Sequence, residues 1–417
     1  MERYRISAPK NLIANISLPA SKSISNRALI IYALSGGRTL PLNLSDCDDT
    51  SVLINAIRYM PETIDIGAAG TAMRFMTAYL SVMRGTHTLT GTDRMKHRPI
   101  SVLVDALRSL GAKIEYLGAE GFPPLQITGS SLEGSVLEIP GNVSSQFISA
   151  LLLIAPVLRN GLTLKLTGDL ISRPYIDLTL WMMREFGAEA DWSSTDTIVV
   201  NNKPYAQRDY YIENDWTAAS YWYSMVALSN DNNAEVKLSG LTDGSKQGDS
   251  CVRYLFSMLG VKTTFQTREP GIPTTVTLTK SRRRMGRLDY DFKNCPDLAQ
   301  TFVVTCTIMG IPFRFEGLST LKIKETDRIE ALKAEMRKLG YVLHDYNGDT
   351  LAWDGERCDA YSDAEIDTYD DHRMALSFAP VALLMPSIVI RKPQVVTKSY
   401  PSFWHDLQHA QFTVESF

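Results

Sequence analysis

Apolar positions in this chain fall into two alternating kinds of segment. One kind is apolar on nearly every face, as in "FISALLLIAPVL" from Phe147 to Leu158, which predicts a helix buried all round. Six such segments begin at Gly, Ser or Asp clusters near Ser21, Gly70, Ser144, Asp215, Pro296 and Asp371. The other kind is amphipathic and stops at Leu-Gly or Phe-Gly, at Gly111, Gly187, Gly260 and Gly340, spaced by 73 to 80 residues. A glycine just past an apolar-periodic stretch is a helix stop. Between the helices, runs such as "THTLTG", "LTLKLTG" and "AEVKLSG" alternate like half-buried strands. A repeat of this length predicts six stacked or ring-like units. Each unit would hold strands, one buried helix and one amphipathic helix, giving an α/β or α+β fold with helices packed inside sheets. Only 49 residues separate Ser21 from Gly70, so the first unit is expected to lack some strands.

The loops leading into the amphipathic helices carry cations. Thr88 to Leu110 does so through Arg94, Lys96 and Arg98, and Leu162 to Phe186 through Arg173. Glu235 to Leu259 uses Lys246, and Pro312 to Leu339 uses Lys322, Lys324 and Arg328. Thr39 to Tyr59 is a weaker copy with an acidic loop, and Ile388 to His405, with Lys398, reads as a truncated sixth. A helix start already attracts anions through its unpaired N–H groups and dipole. Cations at several such starts point to a highly anionic small molecule.

Bulk properties narrow the classes. With 417 residues, 44% hydrophobic and 21% charged, the chain has the composition of a soluble globular protein with two or more domains. A net charge of −3 provides no global field for nucleic acid or an acidic membrane. The basic run Ser281 to Arg287 reads as an exposed loop. The first residues, Met1 to Asn11, have no apolar core of a signal peptide. The longest apolar stretch, Met374 to Ile390, contains Pro380 and Pro386 and predicts a buried helix followed by a strand rather than a membrane span. Five scattered cysteines and six histidines match no metal spacing. The odd, scattered cysteine set favours a reducing, cytoplasmic setting.

Seven motifs in order are more specific: "LPASKSISNRALI" (Leu18 to Ile30), "GAAGTAMRF" (Gly67 to Phe75), "DRMKHRPI" (Asp93 to Ile100), "GNVSSQFISALL" (Gly141 to Leu152), "SRPYIDLTL" (Ser172 to Leu180), "IKETDRIEAL" (Ile323 to Leu332) and "YDDHRMAL" (Tyr369 to Leu376). Together they resemble the 5-enolpyruvylshikimate-3-phosphate synthase family over almost the whole chain. The resemblance implies transfer of the enolpyruvyl group of phosphoenolpyruvate to the 5-hydroxyl of shikimate 3-phosphate, with release of phosphate. It implies an inside-out α/β barrel fold of two similar domains, each of three βαβαββ units. One domain would comprise residues 1–17 plus 214–417 and the other 18–213. It further implies no metal or organic cofactor, no nucleic-acid or membrane partner, a monomer, and a cleft between the domains that closes on ligand.

The family's chemistry accounts for the cations. Two phosphates and two carboxylates bring roughly six negative charges together, and bidentate Arg–anion pairs are strong and directional. By resemblance, Lys22, Gly70, Thr71, Arg94, Gln146, Arg328, Arg373 and Lys398 would bind phosphoenolpyruvate. Lys22, Ser23, Arg27, Ser144, Ser145, Gln146, Ser172, Tyr175, Asp297, Thr320 and Lys324 would bind shikimate 3-phosphate. Asp297 would be the base on the hydroxyl, with Lys22 and Glu325 as proton donor and acceptor partners and His372 aiding phosphate departure. Gly70 would leave room for the ligand.

Simpler roles compete for several of these residues. Ser144, Ser145, Asp215 and Asp371 are also good helix caps. Glu325 and Arg328 form an i,i+3 surface pair, and Arg74 suits a brace within the second unit. Three positions depart from the family pattern: Ala68 and Thr320 replace frequent Asn residues, as does Asp370 before Asp371-His372-Arg373. The sister transferase acting on UDP-N-acetylglucosamine usually has Lys-Asn where Lys22-Ser23 stands, and often a Cys in the Arg94 loop. A repeat-built nucleic-acid binder would need a basic-aromatic stripe, which the sequence lacks.

Overall fold

The computed structural model describes every residue except Met1, Arg38, Arg268, Pro270 and Arg283. The chain divides into two compact units, Met1–Pro19 with Glu213–Phe417, and Ala20–Ile212. Each has its own hydrophobic core.

The six apolar segments are helices: Lys22–Leu34, Gly70–Val82 and Ser145–Ile154 in one unit, Trp216–Leu228, Ala299–Ile308 and His372–Phe378 in the other. Their starts follow local chemistry. Ser21, Ser144, Asp215 and Asp371 each accept a backbone N–H of the first turn, so all four serve as N-caps. In place of a cap, a 3-10 turn, Pro296–Leu298, leads into Ala299–Ile308. All residues of Trp216–Leu228 but Thr217 are buried. Buried hydroxyls on these helices find partners across helix contacts. Ser224 meets Thr305 at 2.7 Å and Thr301 meets Ser377 at 3.4 Å. Small hydroxyl side chains let the three helices of this unit pack closely while these hydroxyls stay hydrogen-bonded. Around them sit aromatic rings such as Phe302, whose centroid lies 4.5 Å from that of Phe256; truncating such a ring to Ala costs about 3–5 kcal/mol.

The amphipathic helices Ser101–Ser109, Arg173–Glu185, Val252–Met258 and Arg328–Lys338 stop just before Gly111, Gly187, Gly260 and Gly340. These glycines have φ between +83° and +99°, the left-handed region that terminates a helix cheaply only in Gly. Gln411, at φ +66°, occupies this position after Phe403–His409.

Among the described residues, five four-stranded sheets share one plan. In the sheet begun by Val136–Pro140, that edge strand runs parallel to Leu162–Thr167. Thr197–Val200 pairs antiparallel with the latter, and Ala190–Trp192 forms the other edge. The parallel step is bridged by the buried helix Ser145–Ile154 and the return by the amphipathic helix Arg173–Glu185, as parallel pairing requires a crossover. Leu137 and Ile139 are buried while Val136, Glu138 and Pro140 are exposed, so one sheet face covers the helices and the other meets solvent.

One repeat lacks this sheet, and two complete theirs with a strand from the N-terminal segment, Ile13–Ser17 beside Glu235–Leu241 being one. Among the described residues the first repeat contains the helices Lys22–Leu34 and Asp48–Tyr59 but no sheet, only a bridge between Leu42 and Tyr211. This agrees with its shortened sequence. The sixth is complete rather than truncated: Glu365–Ile366, Ile388–Arg391 and Thr413–Ser416 are joined by the N-terminal strand Arg3–Ser7, which pairs with Ile388–Arg391 and Thr413–Ser416. The sequence read in order could not reveal a fourth strand from the opposite end of the chain. The stretch Met374–Ile390 forms a buried helix, a 3-10 turn and the start of a strand.

Candidate active site

The candidates form one constellation in each unit. In the unit containing the C-terminus, Asp297 lies in the 3-10 turn ahead of Ala299–Ile308. Its Oδ1 accepts from Arg328 Nη1 at 3.1 Å and its Oδ2 from Arg373 Nη2 at 2.9 Å, with Lys324 Nζ at 3.7 Å. Arg328 opens the helix Arg328–Lys338 and is 1% exposed. Its other N–H groups reach Asp371 at 2.7 and 3.3 Å and Glu325 at 2.9 Å. Lys398 Nζ donates to Glu325 Oε1 at 2.7 Å. Burial alone would lower the Arg328 pKa, but Asp371, Glu325 and Asp297 outweigh it and raise the value. The four cations Lys324, Arg328, Arg373 and Lys398 thus face three carboxylates, Asp297, Glu325 and Asp371.

Asp371 is completely buried and caps His372–Phe378, accepting from Arg373 N at 2.9 Å. His372, 1% exposed, lies with Nδ1 3.7 Å from Asp371 Oδ1. Thr320 lies in the 3-10 turn Ser319–Ile323, and its hydroxyl is buried with no hydrogen-bond partner among the described residues. The alternatives to a site role therefore also hold in part: Glu325 and Arg328 do pair, and Asp371 is a cap.

Two residues here escaped sequence reasoning. The Tyr221 hydroxyl accepts from Arg373 Nη1 at 3.2 Å. Asp249 is buried, accepts from the Thr217 hydroxyl, and has its carboxyl pushed up to about 6 by burial and then by the charge of Asp297. Both sit more than 45 residues from any motif they serve. A polar residue inside an apolar helix, as Tyr221 is in its hydroxyl, was the available signal.

In the unit Ala20–Ile212, Lys22 is the first residue of its helix and pairs with Asp49 at 3.4 Å. The acidic first turn of the helix Asp48–Tyr59 thus supplies a partner for Lys22. Arg27 is 3% exposed and all its hydrogen bonds go to neutral oxygens: Thr179 Oγ1 at 2.7 Å, Ser23 O at 2.9 Å, Ser149 Oγ at 3.1 Å and Tyr175 O at 3.3 Å. Burial lowers its pKa to about 10. The Arg27 guanidinium thereby joins Ser23 and Tyr175 through their backbone. Ser172 begins the helix Arg173–Glu185 with φ +54°, a conformation costly for a non-glycine residue and common at functional positions.

Gly70 and Thr71 open the next helix, and Gln146 Nε2 donates to the Thr71 hydroxyl at 3.0 Å. Ser144 caps the helix in which Ser145 is buried. A Cβ at Gly70 would lie 2.6 Å from Arg98 Nη1 and 3.2 Å from Arg74 Nη1. The room left by Gly70 is therefore filled by the guanidinium groups of Arg98 and Arg74. Arg74 braces the unit, donating to Gly70 O at 3.1 Å and Pro99 O at 3.5 Å. Arg94, in the short helix Asp93–Lys96, is exposed.

A sequence model described as EPSP synthase (3-phosphoshikimate 1-carboxyvinyltransferase) matches residues 6–65 and 60–407. The chain belongs to the EPSP synthase family. It is 57% identical over 413 residues to a 3-phosphoshikimate 1-carboxyvinyltransferase of Bacteroides fragilis, with 99% of each chain covered. A protein of that description from Shewanella halifaxensis is 34% identical, with 97% of this chain and 98% of that one covered. An EPSP synthase structure from Acinetobacter baumannii superposes with a TM-score of 0.80 at 20% identity, covering 100% of both chains. An enolpyruvyl transferase from Streptomyces tendae gives 0.73 at 14% identity, covering 100% of this chain and 99% of that one. These structural likenesses show that the repeated α/β architecture is that of the EPSP synthases. Among the described residues no helix is long and apolar enough to cross a membrane, and no group of three or more His, Cys, Asp or Glu side chains is arranged to hold a metal ion.

Proposed function

We propose that the chain transfers the enolpyruvyl group of phosphoenolpyruvate to the 5-hydroxyl of shikimate 3-phosphate by addition and elimination. In the addition, the 5-oxygen bonds to C2 of phosphoenolpyruvate as its proton leaves and C3 gains one. In the elimination, the new methyl group loses a proton, the double bond re-forms and the C2–O bond to phosphate breaks. Asp297 takes the hydroxyl proton, while Glu325 and Lys22 exchange the proton at C3. Arg328, Arg373 and Lys398, with Lys22, Arg94 and the Gly70–Thr71 helix start, bind phosphoenolpyruvate. Ser23, Arg27, Ser144, Ser145, Gln146, Ser172, Tyr175, Thr320 and Lys324 receive shikimate 3-phosphate. His372, buried beside Asp371, supports the loop that carries Arg373.

The observation carrying this reading is the grip of Arg328, Arg373 and Lys324 on Asp297. A carboxylate held by three cations is a poor base. Substrate phosphates and carboxylates would take over those cations and so raise the proton affinity of Asp297 and Glu325 as the reactants arrive. Basicity would then depend on substrate occupancy.

Phosphate release should require both phosphoenolpyruvate and shikimate 3-phosphate. Asp297→Asn should lower kcat about 10³-fold, the scale of lost acid–base catalysis. Release with UDP-N-acetylglucosamine in place of shikimate 3-phosphate would assign the chain to the sister reaction.

A further inference from the structure

The loop that delivers Asp371, His372 and Arg373 is bent through two consecutive left-handed residues, Tyr369 at φ +52° and Asp370 at φ +55°. Neither is glycine, so both are strained, and such strain persists only where surrounding contacts over-determine it. On the outer side Lys392 pairs with Asp370 at 2.8 Å and the Thr368 hydroxyl donates to Arg391 O at 3.1 Å; on the inner side the contacts meet at Glu335, whose side chain is fully buried. Its Oε1 accepts from the Tyr369 hydroxyl at 2.6 Å and its Oε2 from Asp367 N at 3.1 Å, with Lys338 Nζ at 2.7 Å. Tyr369 itself is 39% exposed, yet its hydroxyl is spent on this buried carboxylate.

Glu335 stands seven residues after Arg328, two turns along the same helix face. Arg328 grips Asp371 at the start of that helix. On the helix side the loop is therefore fastened by Glu335, at Asp367 N before the strained pair and at the Tyr369 hydroxyl within it, and by Arg328 at Asp371 just after it. The Tyr369 hydroxyl is the buried contact within the bend itself, so its removal leaves the turn that carries Arg373 toward Asp297 less tightly defined.

We propose that Glu335, acting through the Tyr369 hydroxyl, is a positioning residue that holds Arg373 and Asp371 in register with Arg328. The inference rests on the assignment of Arg328, Arg373 and Asp297 given above and deepens it. A shift on the order of 1 Å at a binding side chain costs up to about 100-fold in rate.

Tyr369→Phe removes the hydroxyl and little else. It should raise KM for phosphoenolpyruvate about tenfold, lower kcat, and leave KM for shikimate 3-phosphate within about twofold. Asp370→Gly removes strain at a left-handed position and deletes only an exposed ion pair with Lys392, so alone it should stay close to wild type. Added to Tyr369→Phe it should restore most of the lost activity, because the loop then holds its bend without the brace. Glu335→Gln keeps an acceptor for the hydroxyl and should fall between wild type and Tyr369→Phe. Calorimetric titration with inorganic phosphate reads the same arrangement without turnover, and Tyr369→Phe should weaken one class of site about tenfold. Unchanged kinetics and phosphate affinity in Tyr369→Phe would overturn the proposal. So would an equal rise in both KM values or no recovery in the double variant. A wild-type chain with no turnover but a tenfold phosphate effect would retain the positioning role and sink the functional reading.

Discussion

Arg27 and Arg328 are both buried guanidinium groups, one in each compact unit, at 3% and 1% exposure. Their surroundings differ. Arg328 touches three carboxylates, and its pKa is raised against the effect of burial. Arg27 donates only to hydroxyl and carbonyl oxygens and otherwise lies over the Phe75 ring, and burial lowers its pKa to about 10. The first arrangement supplies its own counter-charge, so its geometry is fixed without ligand. The second fixes the guanidinium by neutral hydrogen bonds and leaves its charge for an external anion to neutralise. In the proposed reaction this matches a division of labour. Two of the carboxylates around Arg328, Asp297 and Glu325, are the proposed reacting groups whose basicity must be tuned, whereas Arg27 only binds.

Removing Asp371 would break the comparison on the Arg328 side with the largest effect. Asp371→Ala deletes two hydrogen bonds to a buried guanidinium and an N-cap. Breaking a buried pair from one side costs about 3–5 kcal/mol, and the lost cap adds about 1 kcal/mol. A urea midpoint lowered at unchanged slope would show it. A midpoint near that of wild type would mean that Arg328 is held by Asp297 and Glu325 alone.

Asp249→Asn should have a smaller effect of opposite sign. The Asp249 carboxyl is raised from 3.8 to about 6, so the folded state binds its proton more tightly than the unfolded chain does. Stability should then fall as pH rises from about 4 to about 6 and stay at the lower level above that. Asn can still accept from Thr217 but carries no charge. The variant should be more stable than wild type by on the order of 2 kcal/mol at about pH 7.5, and the two should converge near pH 4. Thermal unfolding at both pH values checks this; a difference that does not change with pH would rule out ionisation of Asp249 as its cause.

What the sequence displays of all this is the part encoded locally. Ser21, Ser144, Asp215 and Asp371 are visible as helix starts because a cap and the apolar run it opens lie side by side, and Gly111 or Gly340 as stops for the same reason. The short first repeat follows from a spacing. The strand Arg3–Ser7 is not visible in its role, since its partner Ile388–Arg391 lies at the other end of the chain. Nor are the partners of the site cations. Thr179 meets Arg27 across 152 residues, and Tyr221 meets Arg373 across the same separation. No periodicity or motif relates such positions, because what joins them is the stacking of whole repeats. Asp49 and Arg98 were within view as charges, but whether a charge pairs inward or meets solvent is decided by the packed helix ends.

Arg27→Met tests the other side of the comparison and should have the smallest effect on stability. Removing a buried, unneutralised charge relieves a desolvation cost. The oxygens left behind retain one another, since Ser149 and Thr179 lie 2.9 Å apart and Thr179 also donates to Tyr175 O at 2.8 Å. Met fills a similar volume with no polar group. The change in unfolding free energy should therefore stay within about 1 kcal/mol, in contrast to Asp371→Ala. Binding should respond in the opposite order. If Arg27 holds its charge for a ligand, Arg27→Met should raise KM for shikimate 3-phosphate at least about tenfold, the scale of one charge-assisted hydrogen bond, with KM for phosphoenolpyruvate much less affected. A protein destabilised as strongly as Asp371→Ala, with unchanged KM for shikimate 3-phosphate, would make Arg27 a structural arginine like Arg74 and would erase the distinction between the two units.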